Sequence, residues 1–422
     1  MHRRRPRPPC RAVNTPCCLA AAGTVPETED GRILAAVLRT YGKEYRHTHG
    51  LPSAHLKVLS AIENCRTVAL GGHLDQCDHC GHKQVMWNSC NNPHCPTCGA
   101  LKREQWLQAR RAELLPVPYF HVVFTLDHGL NFLVGYNDKL IPNLLFNAAT
   151  QTLQQFARQR GGKIGITAVL HTWDQKLNRH LHLHCLVPGG MLALDGSRWI
   201  PSRQDFLFPV RALSLVFREK FLCALTRAHE KGRLNWPSAK ADSGRPESDF
   251  PDLCRRLRKR CWVVYCKPPV AGPDQVLQYL SRYVYRVAIA NRRITDFADG
   301  NVTFSYKDRK HENRTAVLTL PAEEFLHRFL LHVLPPGTRR IRHYGLLANC
   351  SKKKHLLRCR ELLEVPPPPT TEDQTARELM LCLTGRDIRQ CPSCCQGRLH
   401  RIRRIEPCEV LTIKPPEALD TS

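Results

Sequence analysis

The stretch His180-Leu181-His182-Leu183-His184-Cys185-Leu186-Val187-Pro188-Gly189-Gly190 begins by alternating imidazole and apolar side chains. On a strand, alternate side chains share a face, so His180, His182 and His184 point one way and Leu181, Leu183 and Cys185 the other. One face chelates while the other packs, which places the segment in a sheet with a buried side. Two imidazoles at i and i+2 can hold a divalent ion that keeps open positions for phosphate oxygens. The plainer alternative, a half-exposed strand with partnered histidines, explains one histidine easily and three in strict alternation poorly.

Outward from this strand, Tyr119–Leu126 and Ile164–His171 read as further strands, rich in β-branched or large apolar residues. Between them Leu144, Leu145, Ala148, Thr152 and Phe156 recur at helical spacing, and another helix is expected over roughly 209–229. A strand at Cys261–Cys266, a helix opening at Gly272-Pro273, strands at Val302–Lys307 and Thr315–Leu320, and a helix through Phe325, Phe329 and Val333 follow. Such alternation predicts an α+β fold with a central, mainly antiparallel sheet flanked by helices.

The flanks differ in composition. Residues 1–30 read as a flexible basic arm. Residues 31–110 read as a small domain of short helices and a metal knuckle, 111–350 as the α+β domain, and 351–422 as a basic tail entered through the linker Pro366–Pro369. In the knuckle, Cys77-Asp-His-Cys80 and Cys95-Pro-Thr-Cys98 are separated by fourteen residues, a spacing that predicts one tetrahedral Zn²⁺ shell of Cys77, Cys80, Cys95 and Cys98. Cys65, His73, His79, His82, Cys90 and His94 exceed the needs of one ion. The tail's Cys391-Pro-Ser-Cys394 supplies half a site, with Cys395, His400 or Cys408 as candidate partners.

Across 422 residues, 63 Lys+Arg against 37 Asp+Glu leave a net charge of +26, which points to an acidic partner, nucleic acid first. No apolar run approaches the ~20 residues of a membrane-spanning helix, so membrane insertion is excluded. The 21 cysteines include three CxxC pairs, with histidines near them in a long chain, which favours zinc over disulfides and a cytoplasmic, nucleoid-bound protein.

In Tyr279-Leu-Ser-Arg282-Tyr283-Val-Tyr285-Arg286, Tyr279 and Tyr283 fall one helical turn apart, flanked by Arg282 and Arg286, at the boundary of the stripe Val276, Leu280, Val284 and Val287. Two hydroxyls beside a basic face suit a phosphate meeting a nucleophile. Alone the motif is weak, since tyrosines beside an apolar stripe usually pack. Arg292 and Arg293 extend the basic surface.

Together these residues resemble the transposases of the insertion-sequence-ninety-one group, rolling-circle enzymes of the HUH endonuclease superfamily. The resemblance runs from about residue 30 to about 355, carried by Cys65–Gly72, Asn88–Cys98, His121–Leu126, His182–Gly190, Tyr279–Arg293 and Arg340–Gly345. It implies that His182 and His184 hold a catalytic Mg²⁺ or Mn²⁺; on strand position alone, His121 and Gln175 are the candidates for a third ligand. It further implies that Tyr283 and Tyr279 are the nucleophiles, with Tyr283 the survivor if one suffices, and that the cysteines form a zinc-binding domain. The implied activity is nicking of single-stranded DNA at the ends of a mobile element through a 5′-phosphotyrosine link, strand transfer without ATP, and priming of the host replication machinery from the freed 3′-hydroxyl. His180 and Tyr285 are additions to the group's pattern. The runner-up is a non-catalytic zinc-dependent DNA-binding regulator or a decayed transposase. A third reading, a carboxylate-triad transposase, has no marked residues.

Overall fold

The computed structural model describes residues 31–237, 249–267, 277–278, 281, 288–308, 311–367, 375–385 and 387–409. The chain opens with helices α1 (Ile33–Thr48) and α2 (Ser53–Glu63), a hairpin of β1 (Gly72–Cys77) and β2 (Lys83–Trp87), and helix α3 (Ala100–Ala112). Then come β3 (Tyr119–Thr125), α4 (Asn131–Tyr136), α5 (Leu140–Gln159), β4 (Gly162–Lys163), β5 (Gly165–Trp173), β6 (Arg179–Pro188), β7 (Gly190–Ala193), β8 (Trp199–Pro201), α6 (Val210–Glu230), α7 (Phe250–Lys259) and β9 (Val264–Lys267). The remainder carries β10 (Ile294–Ala298), β11 (Asn301–Asp308), β12 (Arg314–Pro321), α8 (Ala322–Leu330), β13 (Ile341–Gly345), α9 (Lys352–Leu362), α10 (Ala376–Thr384) and β14 (Leu399–Ile405).

Among the described residues, the centre is a five-stranded sheet in the order β13-β5-β6-β3-β9, antiparallel throughout. The expected α+β architecture therefore holds, with the histidine strand in the middle. Alternation sorts the two faces. Phe120, Val122 and Phe124 of β3, Ile166, Ala168 and Leu170 of β5, and Leu181, Leu183 and Cys185 of β6 point into one core with Leu145, Ala149 and Leu153 of α5 and Phe217, Phe221 and Leu225 of α6. Each such large side chain contributes about 1.5–3 kcal/mol by leaving water, so this core alone fixes the register of the histidines.

The opposite face carries His121, His171, His182 and His184. Part of it is covered by Leu107 of α3, which packs with Tyr119, Leu186 and Leu277. A second core joins α1, α2 and α8 to the sheet β10-β11-β12 and includes Cys65, Cys95, Cys98, Trp173 and Leu177. Residues 33–65 and 90–98 are thereby packed with residues 288–333.

The sheet β14-β1-β2 was not expected. Its strands are polar, β1 and β2 largely half-buried and β14 largely exposed, without the periodicity that marks a core-facing strand. It also joins the tail to the N-terminal hairpin, pairing Cys77 with Leu399 and Gly72 with Ile405.

Candidate metal centres

His171 closes the histidine site. It lies opposite His182 in the β5–β6 pair, and Val169 lies opposite His184. One nitrogen each from His171, His182 and His184 falls within 4.8 Å of the others. The ring centroids are 5.0 Å apart for His171 and His182, 4.1 Å for His171 and His184, and 4.8 Å for His182 and His184.

Hydrogen bonds orient these rings. His182 Nδ1 lies 2.9 Å from the His180 carbonyl oxygen, which can only accept. Nδ1 therefore carries the proton, and Nε2 keeps its lone pair for a ligand role. His184 Nδ1 lies 2.7 Å from His121 Nε2, so His121 stands behind a ligand rather than among them. Gln175 faces elsewhere, its side-chain oxygen accepting from the Lys307 backbone N–H. The third-ligand guesses from sequence, His121 and Gln175, are thus replaced by His171. His180 stacks on His128 with centroids 4.8 Å apart and is not in the group.

Burial, reinforced by the neighbouring histidines and the charge of Arg340, holds His171 well below the ordinary imidazole value. Burial and the Lys267 charge lower His121 to about 4. Both rings are neutral near pH 7, the form in which imidazole ligates metal. The group has no carboxylate, so a bound divalent ion would keep its full charge. Three imidazoles suit a softer ion than Mg²⁺, which demands oxygen; of the two ions expected, Mn²⁺ fits better.

The cysteines form two groups, not one. Cys65, Cys90, Cys95 and Cys98 converge, as do Cys77, Cys80, Cys391 and Cys394, with all sulfurs of a group within 4.8 Å. The expected shell of Cys77, Cys80, Cys95 and Cys98 is corrected accordingly. Each CxxC turn presents two sulfurs, but spacing leaves the pairing open. Here the end of α2 brings Cys65 to the 90–98 loop, while the β1–β2 turn meets the tail. Sulfur separations of 3.6 Å for Cys90 and Cys98, and 3.7 Å for Cys77–Cys394 and Cys80–Cys391, match the edge of about 3.8 Å of a tetrahedral Zn–S shell. They are far too long for disulfides.

Two family models match. One described as "Transposase zinc-binding domain" covers residues 37–126, and one described as "Putative transposase" covers residues 165–354. The "Putative transposase y4qJ" of Sinorhizobium fredii is 46% identical over 400 residues, 93% of this chain and 99% of that protein. The chain belongs to the insertion-sequence-ninety-one (IS91) family of transposases. A "Transposase for insertion sequence element IS801" from Pseudomonas savastanoi pv. phaseolicola is 28% identical over 331 residues, 76% of this chain and 77% of that protein. No solved structure matches. This transposase is accordingly an enzyme that acts on DNA, and its N-terminal region is a zinc-binding domain. No helix among the described residues is long and apolar enough to cross a membrane.

Tyr279, Tyr283, Arg282 and Arg286 lie outside the described residues. Their described neighbours Leu277 and Ser281 are helical and buried, and Leu277 packs with Tyr119 and Leu186 on the histidine face. Arg292 is exposed, as a DNA contact requires. Arg293 differs from expectation. Its Nε donates to the Ser305 carbonyl oxygen at 2.8 Å, and its guanidinium also donates to the Gln175 carbonyl oxygen, so it ties β11 to the β5–β6 turn. Arg342, half-buried, is likewise engaged within the protein, its guanidinium 4.0 Å from the Phe146 ring centroid.

Proposed function

We propose that this transposase nicks single-stranded DNA at the ends of its element through a 5′-phosphotyrosine intermediate and catalyses strand transfer in rolling-circle transposition. The observation that carries the reading is the convergence of three imidazoles, His171, His182 and His184, on a sheet face free of cluster carboxylates. When bound there, a divalent ion supplies Lewis-acid charge to a non-bridging phosphate oxygen. His121 holds the His184 ring in place, and Arg340, whose charge is felt at His171, favours an approaching phosphate.

The nucleophile is the phenolic oxygen of Tyr283, with Tyr279 serving the second end. A phenol with pKa ~10 releases its proton as the oxygen–phosphorus bond forms, and the bond to the 3′-oxygen breaks. That oxygen takes a proton and leaves as the 3′-hydroxyl from which the host replication machinery copies. The phosphotyrosine bond stores the energy for joining, so no nucleotide is consumed. Leu277, two residues before Tyr279, packs on the histidine face, which supports this assignment. Arg282, Arg286 and Arg292 contact the DNA backbone. A place at the bacterial nucleoid follows from that substrate.

The test incubates the protein with single-stranded element ends and Mn²⁺, then resolves products on a denaturing gel and maps the labelled peptide. The reading expects an adduct on Tyr283 or Tyr279 that disappears in His182→Ala. Protection of the end sequence in footprinting with no adduct would overturn it in favour of a DNA-binding regulator.

A further inference from the structure

We infer that the C-terminal tail closes a second structural zinc site, its ligands split between the two ends of the chain: Cys77 and Cys80 from the β1–β2 hairpin, Cys391 and Cys394 from the tail. Both matched family regions end before this segment, at residues 126 and 354. The site therefore goes beyond the zinc-binding domain the family supplies.

Four independent features build it. First, the four sulfurs converge at tetrahedral-edge separations, in the same way as the Cys65, Cys90, Cys95 and Cys98 group. Second, both turns aim backbone N–H groups at sulfur: His79 N lies 3.4 Å from Cys77 Sγ, and Gly397 N lies 3.3 Å from Cys394 Sγ. Such donors stabilise thiolates, the form a metal takes. Third, Gly397 leaves no room for a side chain. A Cβ there would sit 2.4 Å from Cys77 Sγ and 2.6 Å from His79 Cβ, so the tail backbone presses directly on the other end's ligands. Fourth, the turns are bolted together beside the sulfurs. Asp78 Oδ1 accepts from the Arg398 N–H at 2.7 Å, the Asp78 N–H donates to the Arg398 carbonyl at 3.1 Å, and His400 Nε2 lies 3.1 Å from Asp78 Oδ2.

The apolar support is meagre. Cys77, Cys391 and Leu399 form the whole buried cluster, with Cys394 against it. So small a core cannot hold a sheet, whereas a structural zinc supplies folding free energy directly. Zinc at these sulfurs would hold β14 against β1 and keep its exposed Arg401, Arg403 and Arg404 fixed to the N-terminal hairpin.

The experiment loads the full-length protein with Co²⁺ and measures sulfur-to-cobalt charge-transfer absorption, which the histidine cluster cannot contribute. Cys391→Ser/Cys394→Ser and Cys77→Ser/Cys80→Ser should each remove about half of the band, and the quadruple variant no more than either pair. Cys394→His, which keeps a donor, should retain cobalt with one sulfur fewer and separates ligand loss from misfolding. A tail variant with the full wild-type band would overturn the inference. So would loss of the whole band that Cys394→His fails to restore.

Discussion

His171 and His182 face each other across a strand pair whose reverse side is packed with phenylalanine and leucine, whereas Cys77 and Cys391 meet where scarcely any apolar side chain is buried. In the first region the fold comes before the metal: the core sets the register, and the register brings the nitrogens together. In the second the order is reversed, since two polar turns and an arginine-rich strand have little reason to associate except through shared ligands. Metal would thus serve opposite purposes in the two regions, chemistry on a ready frame under the proposed function and a frame built around the ion at the cysteines. The Cys65, Cys90, Cys95 and Cys98 group stands between these extremes, because three of its sulfurs are buried in the second core.

Metal removal should produce the largest effect and breaks the comparison if it fails. Chelation at neutral pH should strip hydrogen-exchange protection from β1, β2 and β14 while β5 and β6 keep theirs, because structural zinc carries an apparent binding energy of about 10–16 kcal/mol and the central sheet draws on its own core. Equal loss in both sheets would show that the histidine frame also depends on metal.

Next in size are substitutions within the histidine face. His171→Ala should lower adduct formation by about 10²-fold or more, as expected for losing a ligand to the reacting centre. His180→Ala, which removes a ring stacked on His128, should leave the rate within a few-fold. Equal losses would put His180 back among the ligands. His121→Ala should raise the Mn²⁺ concentration for half-maximal activity by about 10–100-fold with the maximal rate largely kept, the signature of a group acting through His184.

These contrasts also explain what was legible beforehand. The central strands and the two large helices could be read from periodicity because their energetics are burial, and burial writes an alternating or 3.6-residue pattern into the chain. His171 was missed because all nine residues of β5 are buried, so no alternation singles it out. A partial signal existed in the turn between the strands. Asp174 accepts from the Lys176 and Asn178 backbone N–H groups, both at 2.8 Å, in a tight turn that sets β5 beside β6, but plain counting from the Trp173–Arg179 pair puts His171 opposite Leu181, and only a register shift between His171 and Trp173 brings it opposite His182. The cysteine pairing had no comparable signal. Cys77-x-x-Cys80, Cys95-x-x-Cys98 and Cys391-x-x-Cys394 are interchangeable as local chemistry, and only tertiary packing decides which turns meet. Arg293 was misjudged for a related reason: charge clusters in a +26 chain look alike until some are found bonded to carbonyls.

The smallest expected effect sharpens the claim that the central sheet holds itself without metal. His332, buried, and His343, half-buried, lie outside the ligand group and depend on staying neutral. His343 Nε2 lies 3.1 Å from an Arg110 donor and must accept, so Nδ1 donates to Thr167 Oγ1 at 3.0 Å. His332 Nε2 donates to the Leu177 carbonyl at 3.0 Å, leaving Nδ1 to accept from Thr172 Oγ1 at 3.2 Å. Burial lowers both to about 4, from an ordinary imidazole value of about 6.5. Between those limits the unfolded chain binds protons that the folded chain refuses. Stability is therefore fully present above about 6.5, falls as the pH drops through this window, and is lost in full below about 4. Followed at the β5 and β13 amides in the presence of chelator, the fall should persist, because the zinc centres are then already empty. His343→Gln, with an amide that can accept from Arg110 and donate to Thr167, should make it shallower, with the His332 share remaining. An unchanged slope in that variant would mean that the acid sensitivity lies elsewhere and that neutral histidines are not part of what makes this frame independent of metal.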